Sequence, residues 1–158
     1  MKERGGGMEA EWRIEPLKAE DAAELARLEA ICFAEPWSRE ALAGEVTKED
    51  AAVFVAWYGD RIAGYAGLHY ILDEAEVTNV AVFPEFRGQG AGHRLMRAQK
   101  QFCREKGILR LFLEVRESNA SAIHLYETEG FEAVYLRKNY YTRPLENGWL
   151  YQYSFEKE

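Results

Sequence analysis

Cysteine and long apolar runs are both scarce in this sequence, and each shortage narrows the class of protein. Two cysteines, Cys32 and Cys103, occur in 158 residues, and their separation matches neither a metal site nor a CxxC redox motif. We therefore interpret both as reduced, buried, small apolar residues. The three histidines, His69, His93 and His124, also lack the spacing of metal ligands, so the sequence predicts no metal site.

No apolar run is long enough to cross a membrane, and the first residues lack the apolar core of a signal peptide. We therefore expect a cytoplasmic protein that has no membrane association. The length of 158 residues suits one domain with a sizeable hydrophobic core. We assign that single domain to residues 11–158 and a flexible leader to residues 1–10, within which Met8 is an alternative start.

The formal net charge is -7 and the sequence pI is near 5.2, which is unlike the basic surface of a nucleic-acid-binding protein. We therefore expect no direct binding of nucleic acid. An acidic chain suits a cationic partner, although the same charge balance also serves solubility alone. Any bound anion would need local donors that act against this overall field.

The chain is organised around residues 76–106, whose hydrophobic period changes halfway along. Val77 to Phe83 is short, β-branched and apolar, which is typical of a buried strand, and Pro84 ends it. The segment from Arg87 to Gly92 is a turn with three alternating glycines. An amphipathic helix is predicted after this turn. Its apolar arc contains Leu95, Met96, Ala98, Phe102 and Cys103, and its opposite face contains Arg97, Lys100 and Arg104.

A strand, a glycine turn and a helix in this order predict binding of a phosphate or pyrophosphate. Glycines let a ligand approach the backbone, and a helix N-terminus offers free N–H groups and a favourable dipole to an anion. Arg87 and Arg94 are the candidate cationic donors. A Walker A loop does not fit because His93 follows Gly92, and the glycine spacing differs from a dinucleotide fingerprint. The alternative is that the glycine turn only connects the strand to the helix and binds no ligand.

The remaining segments alternate between strand and helix patterns. Ser38 is a plausible N-cap, Gly59-Asp60 is typical of a hairpin turn, and Asn119 or Ser118 caps a last helix that ends at Gly130. The predicted order is β-α-α-β-β-β-α-β-α-β-β. The further strands are 12–17, 51–58, 61–72, 108–115, 131–136 and 149–155, the further helices are 18–33, 38–46 and 119–130, and a polar, tyrosine-rich excursion separates the last two strands.

The glycine turn resembles the acyl-CoA pyrophosphate loop of the GNAT superfamily of N-acetyltransferases. That loop is written Arg/Gln-x-x-Gly-x-Gly/Ala, and Arg87, Gly90 and Gly92 fit it. The predicted order of elements also resembles the topology of this superfamily, and agreement between a local motif and a global pattern strengthens the resemblance. The resemblance implies an α/β (α+β) fold of the GNAT type, in which a mixed central sheet of about seven strands is flanked by about four helices.

Within that superfamily, the chain resembles the ribosomal-protein-alanine N-acetyltransferases of the RimI type along nearly its whole length. Four landmarks carry this resemblance, and the last two are more specific than the glycine turn. The landmarks are Pro36-Trp37-Ser38; Asp73-Glu74-Ala75-Glu76 leading into Asn79-Val80-Ala81-Val82; Leu113-Glu114-Val115-Arg116 followed by Ser118-Asn119-Ala120-Ser121-Ala122 and Leu125-Tyr126-Glu127; and Arg137-Lys138-Asn139-Tyr140-Tyr141.

The resemblance implies an enzyme that moves an acetyl group from acetyl-CoA, as co-substrate and without a metal, to the N-terminal α-amine of a protein. The implied acceptor is a basic ribosomal protein with N-terminal Ala or Ser, and we expect a monomer or weak dimer. Glu114 is implied as the general base and Tyr126 as the general acid. The residues implied to bind acetyl-CoA are Val80, Ala81, Val82, Arg87, Gly88, Gln89, Gly90, Ala91, Gly92, His93 and Asn119.

Elementary chemistry supports these catalytic roles independently. An α-amine, with a pKa of about 8, is easier to deprotonate than a lysine, with a pKa of about 10.4, so a carboxylate is a sufficient base. Glu114 lies in a strictly alternating strand, where an acid is costly to bury unless it is used or paired. The alternative for Glu114 is an ion pair with Arg110 or Arg116. A tyrosine hydroxyl on a helix suits protonation of a thiolate, although Tyr126 is also typical of packing.

Aromatic and polar residues outside the predicted core are candidates for an acceptor groove. These residues are Trp37, Glu76, Asn79, Tyr140 and Tyr141, with ordinary packing as the alternative for the three aromatic ones. Two features depart from the family pattern, because Glu35 precedes Pro36-Trp37 and residues 143–148 are charged.

Those departures leave other acceptors open, namely a small amine such as a polyamine or an aminoglycoside, or a lysine side chain. A CoA-binding regulatory protein without catalysis is a further alternative. The presence of both Glu114 and Tyr126 is an argument against it.

Overall fold

Seven strands form one mixed sheet in the computed structural model, which describes residues 11–158. The strands are β1 (Trp12–Pro16), β2 (Ala51–Tyr58), β3 (Arg61–Ile71), β4 (Glu74–Val82), β5 (Arg110–Arg116), β6 (Glu132–Thr142) and β7 (Leu145–Ser154). Their order is β1-β2-β3-β4-β5-β7-β6, and β4 and β5 run parallel whereas the other neighbours are antiparallel. The predicted flexible leader, residues 1–10, lies outside the described residues.

Within residues 11–158, four α-helices flank the sheet, and the order of these strands and helices is the predicted one. The helices are α1 (Ala22–Cys32), α2 (Arg39–Glu45), α3 (Ala91–Lys106) and α4 (Ala120–Thr128), and short 3-10 helices lie at Ala19–Asp21, Pro84–Phe86 and Phe155–Lys157. This architecture confirms the predicted fold class. Of the helices in residues 11–158, none is long and apolar enough to cross a membrane.

Different helices cover the two faces of the sheet because successive strand residues point to opposite faces. On one face, Leu25 and Leu28 of α1 pack in a cluster with Tyr65 of β3. On the other face, Met96 of α3 packs in a cluster with Leu113 of β5. We call these the α1 face and the α3 face.

β4 and β5 separate after a short stretch of pairing in the middle of the sheet. Their register pairs Glu74 with Arg110 and continues only to Glu76 and Phe112. From Val77 onward β4 pairs with β3 alone, and β3 is itself shifted in register between Gly67 and Leu68. The divergence leaves a gap between two parallel strands, and backbone groups on the inner edges of that gap are free of ladder hydrogen bonds.

The last hairpin is longer than the sequence predicts. β6 and β7 include most of the predicted tyrosine-rich excursion, so that prediction is wrong. The register of the pair shifts between Arg137 and Tyr141, and Asn139 adopts a left-handed φ of 54°. Asn139 donates its N–H to Oδ1 of Asn147 at 2.9 Å. A bulge of this kind interrupts the alternation of side chains along the strand. The full length of β6 could therefore not be predicted from alternating hydrophobicity.

Two predictions about burial are also wrong. Lys100, placed on the polar face of the third helix, is buried, and its ammonium donates to the Glu129 carbonyl at 2.8 Å and lies 2.9 Å from the Glu129 carboxylate. Cys32 is only half-buried, whereas Cys103 is buried as predicted, and burial raises the pKa of the Cys103 thiol to about 12. Helical periodicity places these residues on an arc but does not reveal what lies opposite them.

Candidate active site

A cavity of about 590 Å³ lies where β4 and β5 diverge. The end of β4 lines it with Val80, Ala81 and Val82, and the glycine turn lines it with Arg87 and Gly88. The start of α3 contributes residues 90–93, and the α4 region contributes Asn119 and Tyr126 among others. The structure therefore brings together the predicted cofactor residues with the exception of Gln89. We call this space the central cavity.

The glycine turn has a backbone that only glycine adopts without strain. Gly88 has a φ of 76° and Gly90 a φ of 91°, and space is open beside both of them. Gly90 is the N-cap of α3 and has no side chain to accept from the first-turn N–H groups, and that turn contains no acidic residue. The helix N-terminus can therefore accept an external anion. At Gly92, in contrast, a Cβ would lie 2.9 Å from Leu125, so glycine permits close packing of α3 on α4.

The polar side chains of the turn have specific partners. Arg87 donates from Nε to the carbonyl of Val82 at 3.1 Å and lies at the cavity with its guanidinium exposed. Arg94 lies 5.2 Å from the ring centroid of Trp12, and it is not one of the residues that line the cavity. Gln89 donates to the Glu85 carbonyl at 3.0 Å, which directs its side chain away from the cavity wall. Arg87 is thus better placed than Arg94 to meet an anion in the cavity.

His93 is held at the cavity wall by a carboxylate that the sequence analysis does not identify. Its Nδ1 lies 2.7 Å from Oε2 of Glu129, and the carboxylate of Glu129 also contacts Lys100 through Oε1 and Arg97 through Oε2. Burial would raise the pKa of Glu129, but hydrogen bonds from His93 and Lys100 outweigh burial and lower it. Glu129 is therefore an anionic anchor that joins the start of α3 to the end of α4.

Glu114 lies on the α1 face of β5 with its side chain 15% exposed. Its Oε1 accepts a hydrogen bond from the Tyr140 hydroxyl at 2.7 Å, and its Oε2 lies 2.7 Å from Nε of Arg137 as an ion pair without hydrogen-bond alignment. The alternative predicted from sequence, an ion pair with Arg110 or Arg116, is wrong because both arginines pair with other glutamates. The carboxylate is therefore paired, but it keeps partial access to solvent.

Tyr126 is buried on α4 and lines the central cavity. Its ring packs 5.9 Å from that of Phe131, and its hydroxyl makes no hydrogen bond within the part of the chain that the structure describes. Burial raises the pKa of Tyr126, which keeps the hydroxyl protonated near neutral pH. Tyr126 belongs to the cluster on the α3 face and Glu114 to the α1 face, so the two groups can act on one reacting centre only through the gap between β4 and β5.

The α1 face carries the predicted acceptor residues. The backbone N–H of Trp37 and the side-chain amide of Asn79 both donate to Glu29, at 2.9 and 3.0 Å. Glu76 lies close enough to Tyr140 for its charge to contribute to the raised pKa of that hydroxyl, after the hydrogen bond to Glu114 and partial burial. We call the surface that carries these residues the acceptor groove, after the role that the sequence predicts for them.

Glu29 is a second residue of this region that the sequence analysis does not identify, although the sequence contains a pattern that could have identified it. Leu25, Leu28, Glu29 and Cys32 have the spacing of one helical face, and Glu29 is fully buried there. An acid at an apolar position of a helix is costly unless it is hydrogen-bonded or used. The same argument that singles out Glu114 in its strand therefore applies to Glu29 in α1.

Tyr141 lies next to the β6–β7 turn, where one of the two departures from the family pattern begins. Tyr141 is half-buried, with the guanidinium of Arg116 4.4 Å from its ring centroid, and burial with the nearby Glu114 raises its pKa to about 12. Glu35 and Arg143 form an exposed ion pair of 3.5 Å that joins the α1–α2 loop to the β6–β7 turn. The two departures therefore contact one another.

No cluster of His, Cys, Asp and Glu that could hold a metal ion occurs in residues 11–158. The cavity walls consist instead of backbone, glycine, apolar side chains and single polar groups. This composition suits an extended organic ligand with an anionic part.

A model of the acetyltransferase (GNAT) family matches residues 21–131. The chain belongs to the GNAT acetyltransferase family, and the prediction of an acyltransferase is confirmed. The resemblance to the RimI type is confirmed by curated relatives.

The enzyme named ribosomal protein bS18-alanine N-acetyltransferase from Escherichia coli strain K12 is 35% identical over 128 residues, which cover 81% of this chain and 86% of that protein. A Bacillus subtilis relative, which carries the same name provisionally, is 36% identical over 85% of this chain and 90% of its own length. The crystal structure of the ribosomal-protein-S18-alanine N-acetyltransferase from Escherichia coli superposes with a TM-score of 0.82 at 32% identity, covering 90% of this chain and 93% of that one.

Proposed function

We propose that this protein transfers an acetyl group from acetyl-CoA to the N-terminal α-amine of a ribosomal protein of the bS18 type that begins with Ala or Ser. The observation that carries the proposal is the similarity to enzymes named for this activity over more than four-fifths of the chain. The exposed carboxylate of Glu76, on the same face as Glu114, and the net charge of -7 suit a cationic N-terminal segment.

The central cavity fits the cofactor. Acetyl-CoA supplies an acetyl thioester as the acyl donor. The open space beside Gly88 and Gly90 and the acid-free first turn of α3 suit its pyrophosphate, with Arg87 as a cation nearby. The residues proposed to hold it are the backbone of Val80–Val82, Arg87, Gly88, residues 90–92, His93 and Asn119. The Asn119 oxygen already accepts from Ala122 N–H at 3.2 Å as a helix cap, so its amide NH₂ is the group left to meet the cofactor.

Glu114 is proposed as the general base. An acceptor α-ammonium has a pKa of about 8, so a partly exposed carboxylate can accept its proton directly or through one water. Tyr140 and Arg137 hold both oxygens of Glu114 in place, which orients the carboxylate toward the groove. The neutral amine then attacks the acetyl carbonyl, and no covalent enzyme intermediate is needed.

Tyr126 is proposed as the group that protonates the departing thiolate. It is a donor without a competing partner among the described residues, and it lines the cavity wall nearest to α4. Because burial raises its pKa, the hydroxyl is present as a donor throughout the neutral range. Before the proton moves, the same hydroxyl donates a hydrogen bond that stabilises developing charge on sulfur.

The test compares two peptides of the same basic sequence. One has a free N-terminal Ala and acetylated lysines, and the other has a blocked α-amine and free lysines. Release of thiol from acetyl-CoA is measured, and mass spectrometry places the acetyl group. We expect turnover of the first peptide and a rise in its KM with added salt. Acetylation confined to lysine, or faster turnover of spermidine than of any peptide, would contradict the proposed acceptor while leaving the family and cofactor unaffected.

A further inference from the structure

Glu29 is a fully buried carboxylate that the proposed catalytic steps do not use. Its Oε1 accepts from the Trp37 N–H, and its Oε2 accepts from the Tyr65 hydroxyl and from Nδ2 of Asn79. These three donors come from the α1–α2 loop, from β3 and from β4. One side chain therefore links two elements that bound the acceptor groove.

Hydrogen bonds rather than a counter-ion satisfy this carboxylate. Within residues 11–158, no lysine, arginine or histidine is in ion-pair contact with Glu29. Burial and Glu29 together raise the pKa of Tyr65, so that hydroxyl remains a donor at any working pH. A buried carboxylate with three donors is stable only while each donor keeps its direction.

The carboxylate also determines how the amide of Asn79 is turned. A carboxylate only accepts hydrogen bonds, so the amide must present its NH₂ to Glu29 and its Oδ1 to the opposite side. That Oδ1 accepts no hydrogen bond in the described part of the chain, and it is not one of the buried atoms that lack a partner, so it is open to solvent. Asn79 therefore presents an acceptor atom on the α1 face, where the groove lies.

We propose that Glu29 is a positioning residue that fixes Asn79 with its oxygen toward the substrate, so that the groove selects an acceptor with N–H donors at its amino terminus. This proposal rests on the proposed function. An α-ammonium and the first peptide N–H are donors, and a carbonyl oxygen complements them. The reversed amide would present an NH₂ group to the same donors and would repel them.

The variant Glu29→Gln tests the proposed orientation of the Asn79 amide, because glutamine has nearly the same shape as glutamate. A carboxamide has one acceptor oxygen, so its NH₂ must face either Trp37 N–H or Asn79, and in the second case Asn79 turns its own NH₂ toward the groove. We expect KM for the N-terminal Ala peptide to rise about tenfold, which corresponds to about 1.4 kcal/mol, while KM for acetyl-CoA is unchanged. Equal increases of both KM values would overturn the proposal.

A second substitution separates positioning from general damage. In Glu29→Gln/Asn79→Asp, the new carboxamide donates to one oxygen of the new carboxylate, and the other oxygen faces the substrate. Asn79→Asp alone sets two carboxylates against one another and should also raise the peptide KM. We expect the double variant to recover most of the peptide affinity that each single variant loses. A double variant no better than the worse single one contradicts the proposal.

Tyr151→Phe is the matched control, because it removes the hydroxyl of a buried tyrosine that donates to Glu127 at 2.9 Å outside the groove. It should lower the melting temperature and leave both KM values unchanged. If the wild type does not acetylate the α-amine peptide, the proposed function fails, and the side-chain amide resonances of Asn79 then decide the orientation without a substrate. Slow exchange of its NH₂ protons in the wild type supports the contact with Glu29, and exchange as fast as that of an exposed asparagine overturns it, even if Glu29→Gln does not fold.

Discussion

The Tyr140 hydroxyl on β6 donates a 2.7 Å hydrogen bond to Glu114 on β5, across the intervening strand β7. On β7, Leu150 is paired with Glu114, and Gly148, two residues earlier on the same face, is paired with Arg116 on one side and with Arg137 on the other. A Cβ at Gly148 would lie 2.9 Å from the Tyr141 ring and 3.1 Å from the Tyr140 ring. The absence of a side chain on β7 therefore lets two tyrosines of β6 approach the proposed base.

Gly148→Ala should displace Tyr140 and Tyr141 and lower kcat about tenfold, because small misplacements near a reacting group are costly. The KM for acetyl-CoA should not change, since the cavity that fits the cofactor is lined by other strands. Steady-state kinetics with each substrate varied in turn measure both quantities. Tyr140→Phe is the companion variant, and a Gly148→Ala enzyme with wild-type kcat would show that the tyrosines are not needed at this position.

Glu114→Gln should lower kcat about a hundredfold or more at neutral pH, because the amide cannot accept the ammonium proton. Activity should partly recover as pH rises above about 8, where the α-amine is already neutral. A pH–rate profile of the variant against the wild type gives the measurement. Arg137→Met serves as control, since it removes the neighbouring cation but keeps the carboxylate. An unchanged profile in Glu114→Gln would assign the base to another group.

Tyr126→Phe should lower kcat about tenfold to a hundredfold with little change in acetyl-CoA affinity, because one donor is lost and almost no contact area. Burial raises the pKa of Tyr126, so the hydroxyl stays protonated and the ratio of wild-type to variant kcat should be constant between pH about 7 and 9. A ratio that decreases with pH would mean that the tyrosine titrates in this range. Loss of cofactor binding in calorimetry would assign Tyr126 to packing instead.

Gly90→Glu should abolish acetyl-CoA binding measured by calorimetry. The new carboxylate would occupy the open space beside Gly90 and oppose an anion at the start of α3. Gly90→Ala separates charge from backbone strain, because it shares the unfavourable φ of 91° but adds no charge. We expect weakened but measurable binding in the alanine variant. Tight binding of coenzyme A by Gly90→Glu would identify the turn as a connection only.

Lys100→Met should destabilise the fold by about 3–5 kcal/mol, because it leaves the buried Glu129 without its main cation. Arg97→Met is the matched control, since Arg97 contacts the same carboxylate but its side chain is 70% exposed, and a loss of at most about 1 kcal/mol is expected. Urea denaturation of both variants provides the comparison. Equal losses of unfolding free energy in the two variants would contradict the prediction that the buried cation stabilises the fold more than the exposed one.

Local patterns were sufficient for much of the fold and for one part of the site. The alternation of Leu111, Leu113 and Val115 predicted β5, and Ser38 and Asn119 were correctly identified as caps. These features depend on residues within a few positions of each other, where the repeat of a strand or helix acts directly. The glycine turn was recognisable for the same reason, because its left-handed backbone at Gly88 and Gly90 is a local requirement.

The order of the elements, the glycine turn and the acid in β5 therefore follow from local sequence patterns. The partners of the charged side chains, in contrast, depend on how the elements pack. Arg137 reaches Glu114 because β6 and β5 flank β7 at Gly148, and Glu29 meets Asn79 because α1 packs on that face of β4. Such pairs depend on strand order, on register and on a bulge in β6. None of these features produces a periodic pattern of residues in the sequence. The gap between β4 and β5 likewise could not be predicted, because it depends on where their pairing ends. That pairing ends at Glu76, and the residue pattern of one strand contains no information about the length over which it pairs with its neighbour.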